Sequence, residues 1–182
     1  IVSKVIKDNP VERKKIMVFA DKLFREAGLY KTSMDELAAL MHISKKTIYR
    51  YFPSKENLVR EIVKFWLDTS TERVDKIVSG KTDVVRKFIR LLEDYSCEFT
   101  QLGEEAISDL QIHYPDVWAS IESFREEKIK LYVKKLFRQG FRENYITKIP
   151  VEIVIASVSA SISSVVNPKF LVVNNFSTAE AL

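Results

Sequence analysis

Thr32, Ser33, Ser44, Lys45, Lys46, Thr47, Tyr49, Tyr51 and Lys55 crowd into one short stretch of the chain, and together they suit contact with a nucleic acid. Cations neutralise phosphates, hydroxyls bond phosphate oxygens, and a helix carrying both on its outer face can reach base edges in a major groove. Ser44 is a good N-cap for a helix over Lys45–Tyr51. Ile48 and Phe52, with Ile43 before the helix, anchor it inward, and Lys45, Lys46, Thr47, Tyr49 and Arg50 are left facing out. Base-edge or nearby phosphate contacts are assigned to Lys45, Lys46, Thr47 and Tyr49. Phosphate clamping is assigned to Thr32, Ser33, Tyr51 and Lys55. Lys55 opens a further helix behind Ser54, where a cation opposes the helix dipole. A DNA phosphate beside that helix start would account for it.

Two elements must hold this helix in place. Ser33 and Glu36 form a capping box for a helix from Met34 to Met41, whose apolar face is Met34, Leu37, Ala38 and Met41. His42 and Ile43 make the turn between the two helices. A preceding helix over Pro10–Ala27, with Gly28 at its C-cap, offers the apolar stripe Ile16, Phe19, Ala20, Leu23, Phe24 and Ala27 to fix their angle. The arrangement is a helix-turn-helix with its reading helix second.

The pattern from Ile16, Phe19, Ala20, Leu23, Phe24 and Gly28 through Thr32, Ser33, Leu37, Ala38, Ser44, Thr47, Ile48, Tyr49, Tyr51 and Phe52 to Lys55, Leu58 and Ile62 resembles the DNA-binding domain of the TetR family of bacterial transcriptional regulators. It covers roughly the first third of the chain. Two residues depart from it. His42 stands where the family usually has glycine, and Lys46 replaces a residue that is often small. The resemblance implies an all-helical homodimer with a ligand-sensing C-terminal part.

Composition agrees with a helical fold. The chain has 182 residues, 46% hydrophobic and 30% charged, with 4 Gly and 5 Pro. Its net charge of +4 is unevenly spread: residues 1–60 hold 13 Lys/Arg against 7 Asp/Glu, a net +6, and the remainder is net −2. A basic N-terminal part joined to a slightly acidic remainder fits a DNA-contacting domain plus a domain with another task. The single cysteine, Cys97, allows no internal disulfide and suits a reducing cytoplasm. Neither His42 nor His113 belongs to a metal-binding spacing, and no phosphate loop or nucleophile elbow is present. The sequence therefore points away from an enzyme and calls for no cofactor, metal or membrane span.

Beyond Ser54 the periodicity predicts five helices. One runs from Ser54 to Val78, with Leu58, Ile62 and Phe65/Trp66 on one side. Thr82 caps the next, whose apolar face is Val85, Phe88, Leu92, Tyr95, Phe99 and Leu102. A short helix covers Glu104–His113. Another spans Asp116–Gln139 with Gly140 as its cap, and Pro150 opens the last, which runs to Val166. Ser177 with Glu180 marks a possible further helix start. The reading is an all-α protein: a three-helix helix-turn-helix domain over residues 1–53 and a helical ligand-binding and dimerisation domain over 54–182. Trp66, Tyr95, Phe99, Asp109, His113, Trp118 and Phe124 are the expected lining of a pocket for an apolar or amphipathic ligand. Val151, Ile155, Val158, Ser159, Ile162 and Val166 are the expected dimer face, on a helix rich in serine and alanine. The expected function is a repressor that leaves an inverted-repeat operator when its ligand binds. An adaptor on the same scaffold, signalling through a protein partner, is the alternative.

Overall fold

The computed structural model describes residues 9–102, 104–147, 149–165, 170 and 173–176, with backbone only for 95–102 and Glu104. The described residues form eight helices and no strand: α1 (Pro10–Ala27), α2 (Met34–Leu40), α3 (Lys45–Tyr51), α4 (Lys55–Ser79), α5 (Val84–Leu102), α6 (Glu104–His113), α7 (Pro115–Arg142) and α8 (Val151–Val165). The capping box of Ser177 and Glu180 lies outside the described residues, as do the side chains of Tyr95, Cys97 and Phe99. None of these helices is long and apolar enough to cross a membrane.

Local chemistry sets most helix starts. Asn9 caps α1 by accepting from the N–H groups of Val11 and Glu12, with Pro10 in the first turn. Ser33 and Glu36 close the capping box of α2, and Ser44 and Ser54 accept from Thr47 N–H and Asn57 N–H at the starts of α3 and α4. α5 differs from expectation. Asp83, not Thr82, is its cap, accepting from Arg86 N–H at 2.9 Å, while the Thr82 carbonyl accepts from Gln139. That hydrogen bond and the neighbouring Arg86 charge hold the Asp83 carboxyl below its ordinary range.

One apolar cluster joins most of these helices. Ile16, Ala20 and Phe24 of α1 meet Leu37 and Ala38 of α2, Ile48 and Tyr51 of α3 with Phe52, and Leu58, Val59, Ile62 and Val63 of α4. The cluster continues through Leu110 of α6 and Val117 of α7. Around this core, α7 packs along α4 and α8, and α6 lies between α7 and α1.

Three sequence expectations are corrected here. Gly140 does not end a helix; α7 runs through it to Arg142. It is buried because a side chain there would drive into Ile146, whose Cδ1 would lie 2.5 Å from an added Cβ. The apolar face of α5 turns outward in its described part: Val85, Phe88 and Leu92 are about half exposed, while Val84 and Lys87 are buried instead. On α8, Val151, Ile155, Val158, Ser159 and Ile162 sit on the inward side against α7, with the Ser159 hydroxyl buried and unpartnered. The outward side carries Ile153, Ala156, Ser157, Ala160 and Ser164. The sequence could not separate the two faces because both are small or apolar. Val166 lies outside the described residues.

Gly28 ends α1 at φ +89°, a backbone conformation that suits glycine, and an added Cβ would stand 3.1 Å from Glu105 Oε1 of α6. Replacing it should lower stability by about 1–3 kcal/mol, the cost of holding a side chain in that region. Urea unfolding of Gly28→Ala tests this, and an unshifted midpoint would reject it.

Candidate nucleic-acid interface

The reading helix is oriented by what it buries. Ile48 and Phe52 are fully inaccessible, and Tyr51 is 3% exposed. Arg13 of α1 clamps the C-terminal end of α3: its guanidinium donates to the Tyr51 carbonyl at 2.8 Å, pairs with Glu61 at 3.2 Å, and lies over the Phe52 ring. The Tyr51 hydroxyl donates to Glu12 and accepts from Arg50. These contacts couple α1, α3 and α4.

At the other end, the turn from α2 to α3 passes through His42 at φ +54°. This is the left-handed geometry that glycine adopts more cheaply, and histidine tolerates it better than most residues. His42 N–H and Ile43 N–H return to the carbonyls of Ala39 and Ala38, so the turn is fully hydrogen-bonded.

What remains outside is a small set. Lys46 and Tyr49 are exposed on the outer face of α3, and among the described residues neither has a hydrogen-bonding or ionic partner. Lys45 is also exposed but pairs with Asp35 of α2. Arg50 is shared between Tyr51 and Glu12, at 3.5 Å from the Glu12 carboxylate. Ser44 is occupied with Thr47, both through its cap bond and through a 2.8 Å contact between the two hydroxyls. Ser33 is exposed and engaged in its capping box.

Two residues assigned as phosphate clamps belong to the interior. Thr32 is 1% exposed, and its hydroxyl donates to the Gly28 carbonyl at 2.9 Å. Tyr51 is buried as described. Both side chains are enclosed and position the head from within. Lys55 has an intramolecular reason for its place. Its ammonium donates to the Tyr30 carbonyl at 2.9 Å and lies near the rings of Phe24 and Tyr30. Burial lowers its pKa, against the opposing pull of Asp109 and Glu36.

Tyr30 is the residue that sequence reasoning missed. It sits in the α1–α2 loop, beside Gly28 and Lys31. Its N–H donates to Asp109 at 2.7 Å, and its ring stacks on His113 at 3.7 Å between centroids. Next to it, Lys31 pairs with Glu105 at 2.7 Å, a contact that raises the Lys31 pKa. Loop and α6 are therefore joined by three contacts at 4-residue spacing on α6: Glu105, Asp109 and His113. That spacing was legible, but its partner was not.

Of the expected pocket residues, the side chains of Trp66, Asp109, His113, Trp118 and Phe124 are described. Asp109 and His113, read as polar handles for a ligand, face the α1–α2 loop instead. Trp66 donates to Asp21 of α1 at 3.0 Å and lies under Arg25. Trp118 packs against the apolar cluster. Phe124 is half-buried beneath Lys128.

Residues 16–62 match the profile of the bacterial regulatory proteins, tetR family. This segment carries the DNA-binding domain of the TetR family of transcriptional regulators. The match spans α1 to the first turns of α4, the portion whose geometry is set out above. The HTH-type transcriptional regulator YvaF of Bacillus subtilis is 24% identical over 170 residues, covering 93% of this chain and 88% of that protein. HbdR of Aromatoleum, also an HTH-type transcriptional regulator, is 30% identical over 46% of this chain but only 36% of its own length. A transcriptional regulator from Cytophaga hutchinsonii superposes with a TM-score of 0.77 at 21% identity, over 95% of this chain and 86% of that one. Carrying that domain, the chain is a DNA-binding regulator of transcription.

The partition between positioning and reading residues can be measured directly. Thr32→Val removes a buried donor from the Gly28 carbonyl and should cost about 1–3 kcal/mol of stability. Lys46→Ala, at an exposed position, should change stability by less than about 0.5 kcal/mol. Equal losses in denaturant unfolding would contradict the partition.

Proposed function

We propose that this protein is a homodimeric repressor whose α3 enters the major groove of an inverted-repeat operator and which leaves DNA when a small molecule binds. The observation that supports it best is the division of α3. Its inner face is buried, while Lys46 and Tyr49 are left outside with no side-chain partner among the described residues. Lys46 and Tyr49, with Lys45 and Thr47, read base edges or nearby phosphates. Ser33, Ser44 and Lys55 stand at the helix starts that would face the phosphate backbone. Lys55 can serve twice, because an ammonium has three donors and only one is directed at Tyr30. The head is taken as residues 1–53 and the body as 54–182, with α4 connecting them.

A two-fold operator needs two heads about 34–36 Å apart. The proposed dimer uses the outward face of α8, where Ala156, Ser157, Ala160 and Ser164 would let a second helix approach closely and Ile153 supplies apolar area. Ala160→Arg should therefore convert the dimer to monomers in sedimentation velocity. A persistent dimer would remove α8 from the interface.

Ligand release is proposed to run through α6. A ligand bound in the body that shifts α6 relative to α4 would pull on Tyr30 and Lys31, and through them on the head. Such a ligand must favour the displaced arrangement to cause release. Asp109→Ala deletes the bond to Tyr30 N–H without touching the outer face of α3. It should weaken operator binding about 10- to 150-fold, the range expected from losing one hydrogen bond that involves a charged group.

The decisive test is selection of bound sequences from a random duplex pool. Enrichment of an inverted repeat is expected. Lys46→Ala and Tyr49→Ala should then each lose about 1–3 kcal/mol of binding to the enriched site. Salt-sensitive binding without enrichment would overturn the repressor reading.

A further inference from the structure

The end of α4 farthest from the reading head opens into a cleft of about 1010 Å³, at the upper end of the usual size for small-molecule sites. Val78–Thr82, Lys87 of α5, Lys135, Phe137, Arg138, Gln139, Phe141 and Arg142 of α7, and Glu143 just after α7 line it. Its apolar surface comes from Val78, Phe137 and Phe141, the last of them about half exposed. Its charge is one-sided. Lys81, Lys87, Lys135, Arg138 and Arg142 face it, against the single carboxylate of Glu143.

That carboxylate is already engaged. One oxygen accepts from Val84 N–H at 2.8 Å and the other from Gln139 at 2.6 Å. Among the described residues, Lys81, Lys135, Arg138 and Arg142 have no carboxylate partner. Lys87 makes the case more specific. It is 4% exposed, and its ammonium donates to the Val78 carbonyl and to Gln139 Oε1, both at 2.7 Å. Its hydrogen bonds are met by neutral acceptors, and the Glu143 carboxylate reaches it only through Gln139. A buried cation in that position gains from any anion brought nearby.

We propose that this cleft binds a free anionic amphipath: one acidic head, a phosphate or carboxylate, held by Arg138 and Arg142 over the Lys87 charge, and an apolar body lying on Phe137 and Phe141. Arginine forks suit such heads, and an apolar surface gives no advantage to a bare polyanion. The cleft includes the C-terminal end of α4, and Lys55 begins the same helix about 37 Å away at the ordinary rise per residue. Its occupant would act on the helix that carries the head. The inference takes its regulatory meaning from the repressor reading, but its test does not depend on DNA.

The experiment is isothermal titration of the full chain with monomeric decyl phosphate. Decyltrimethylammonium supplies the same tail with the opposite charge, and inorganic phosphate supplies the head alone. Saturable binding of decyl phosphate at one site per chain is expected, with at least about tenfold weaker binding of either control. Arg138→Gln combined with Arg142→Gln should weaken decyl phosphate at least about tenfold, since each removes a charge-assisted hydrogen bond. Both residues are exposed, and an unchanged melting temperature without ligand will confirm that this variant folds. Equal binding of the cationic amphipath, or undiminished binding by the double variant, would overturn the proposal. Binding only to vesicles containing phosphatidic acid would also overturn it, because the site would then recognise a membrane surface. A failed operator selection would sink the repressor reading and leave this result untouched.

Discussion

The shared burial of α1, α2, α3 and α4 around Ile16, Leu37, Ile48, Phe52 and Leu58 is the constraint on which the rest depends. α3 has only seven residues, too short to be stable alone in water. Its direction is a property of this cluster and of Arg13, which ties the Tyr51 carbonyl to α4 through Glu61. The cluster also takes in Leu110 and Val117 from α6 and α7. The apolar core therefore continues past the end of the helix-turn-helix, and a displacement of α6 is felt where α3 is seated. Packing at interior density transmits such shifts instead of absorbing them.

The seam between the α1–α2 loop and α6 has contacts of unequal weight. Lys31 with Glu105 is an exposed pair and is screened by salt. The bond from Tyr30 N–H to Asp109 involves an ionised acceptor and is worth more, about 1.5–3 kcal/mol by the usual measure for such bonds. Lys55 holds the carbonyl of the same residue. Tyr30 is thus gripped through its N–H by α6, through its carbonyl by α4, and through its ring by His113. A loop residue fixed from both sides reports relative movement of the two helices. This gives Asp109 and His113 a stronger role as couplers than as members of a pocket wall.

What could be read from the sequence was local. The caps at Ser33, Ser44 and Ser54, the inward Ile48 and Phe52, the exposed Lys46 and Tyr49, and the strained turn at His42 all follow from neighbours within a few positions. The burial of Thr32 and Tyr51 was not legible because a hydroxyl beside a helix start looks the same whether it meets water, a phosphate or a buried acceptor. Only the fold brings Glu12 to Tyr51 and shows that Thr32 is enclosed over the Gly28 carbonyl. Gly140 looked like a cap because glycine commonly ends helices, and its contact with Ile146 depends on how the following loop folds back. The faces of α8 were indistinguishable because both carry small or apolar residues, with isoleucine and serine on each.

Exposure alone does not decide which outer residues are available to DNA. Lys45 and Arg50 both carry carboxylate partners, but their situations differ. The Lys45–Asp35 pair is exposed at both ends, and such pairs contribute about 0–1 kcal/mol. A DNA phosphate can replace Asp35 at little cost, so the pairing does not remove Lys45 from the reading set. Arg50 is tied to the Tyr51 hydroxyl as well as to Glu12, and that hydroxyl belongs to the clamp between α1 and α3. Drawing Arg50 away would loosen the support that sets the angle of α3. The geometry therefore leaves Lys46 and Tyr49 free, Lys45 exchangeable and Arg50 retained. In the proposed reading, sequence discrimination falls mainly on a lysine and a tyrosine of the outer face, of which Lys46 is the one that departs from the small residue frequent in the family.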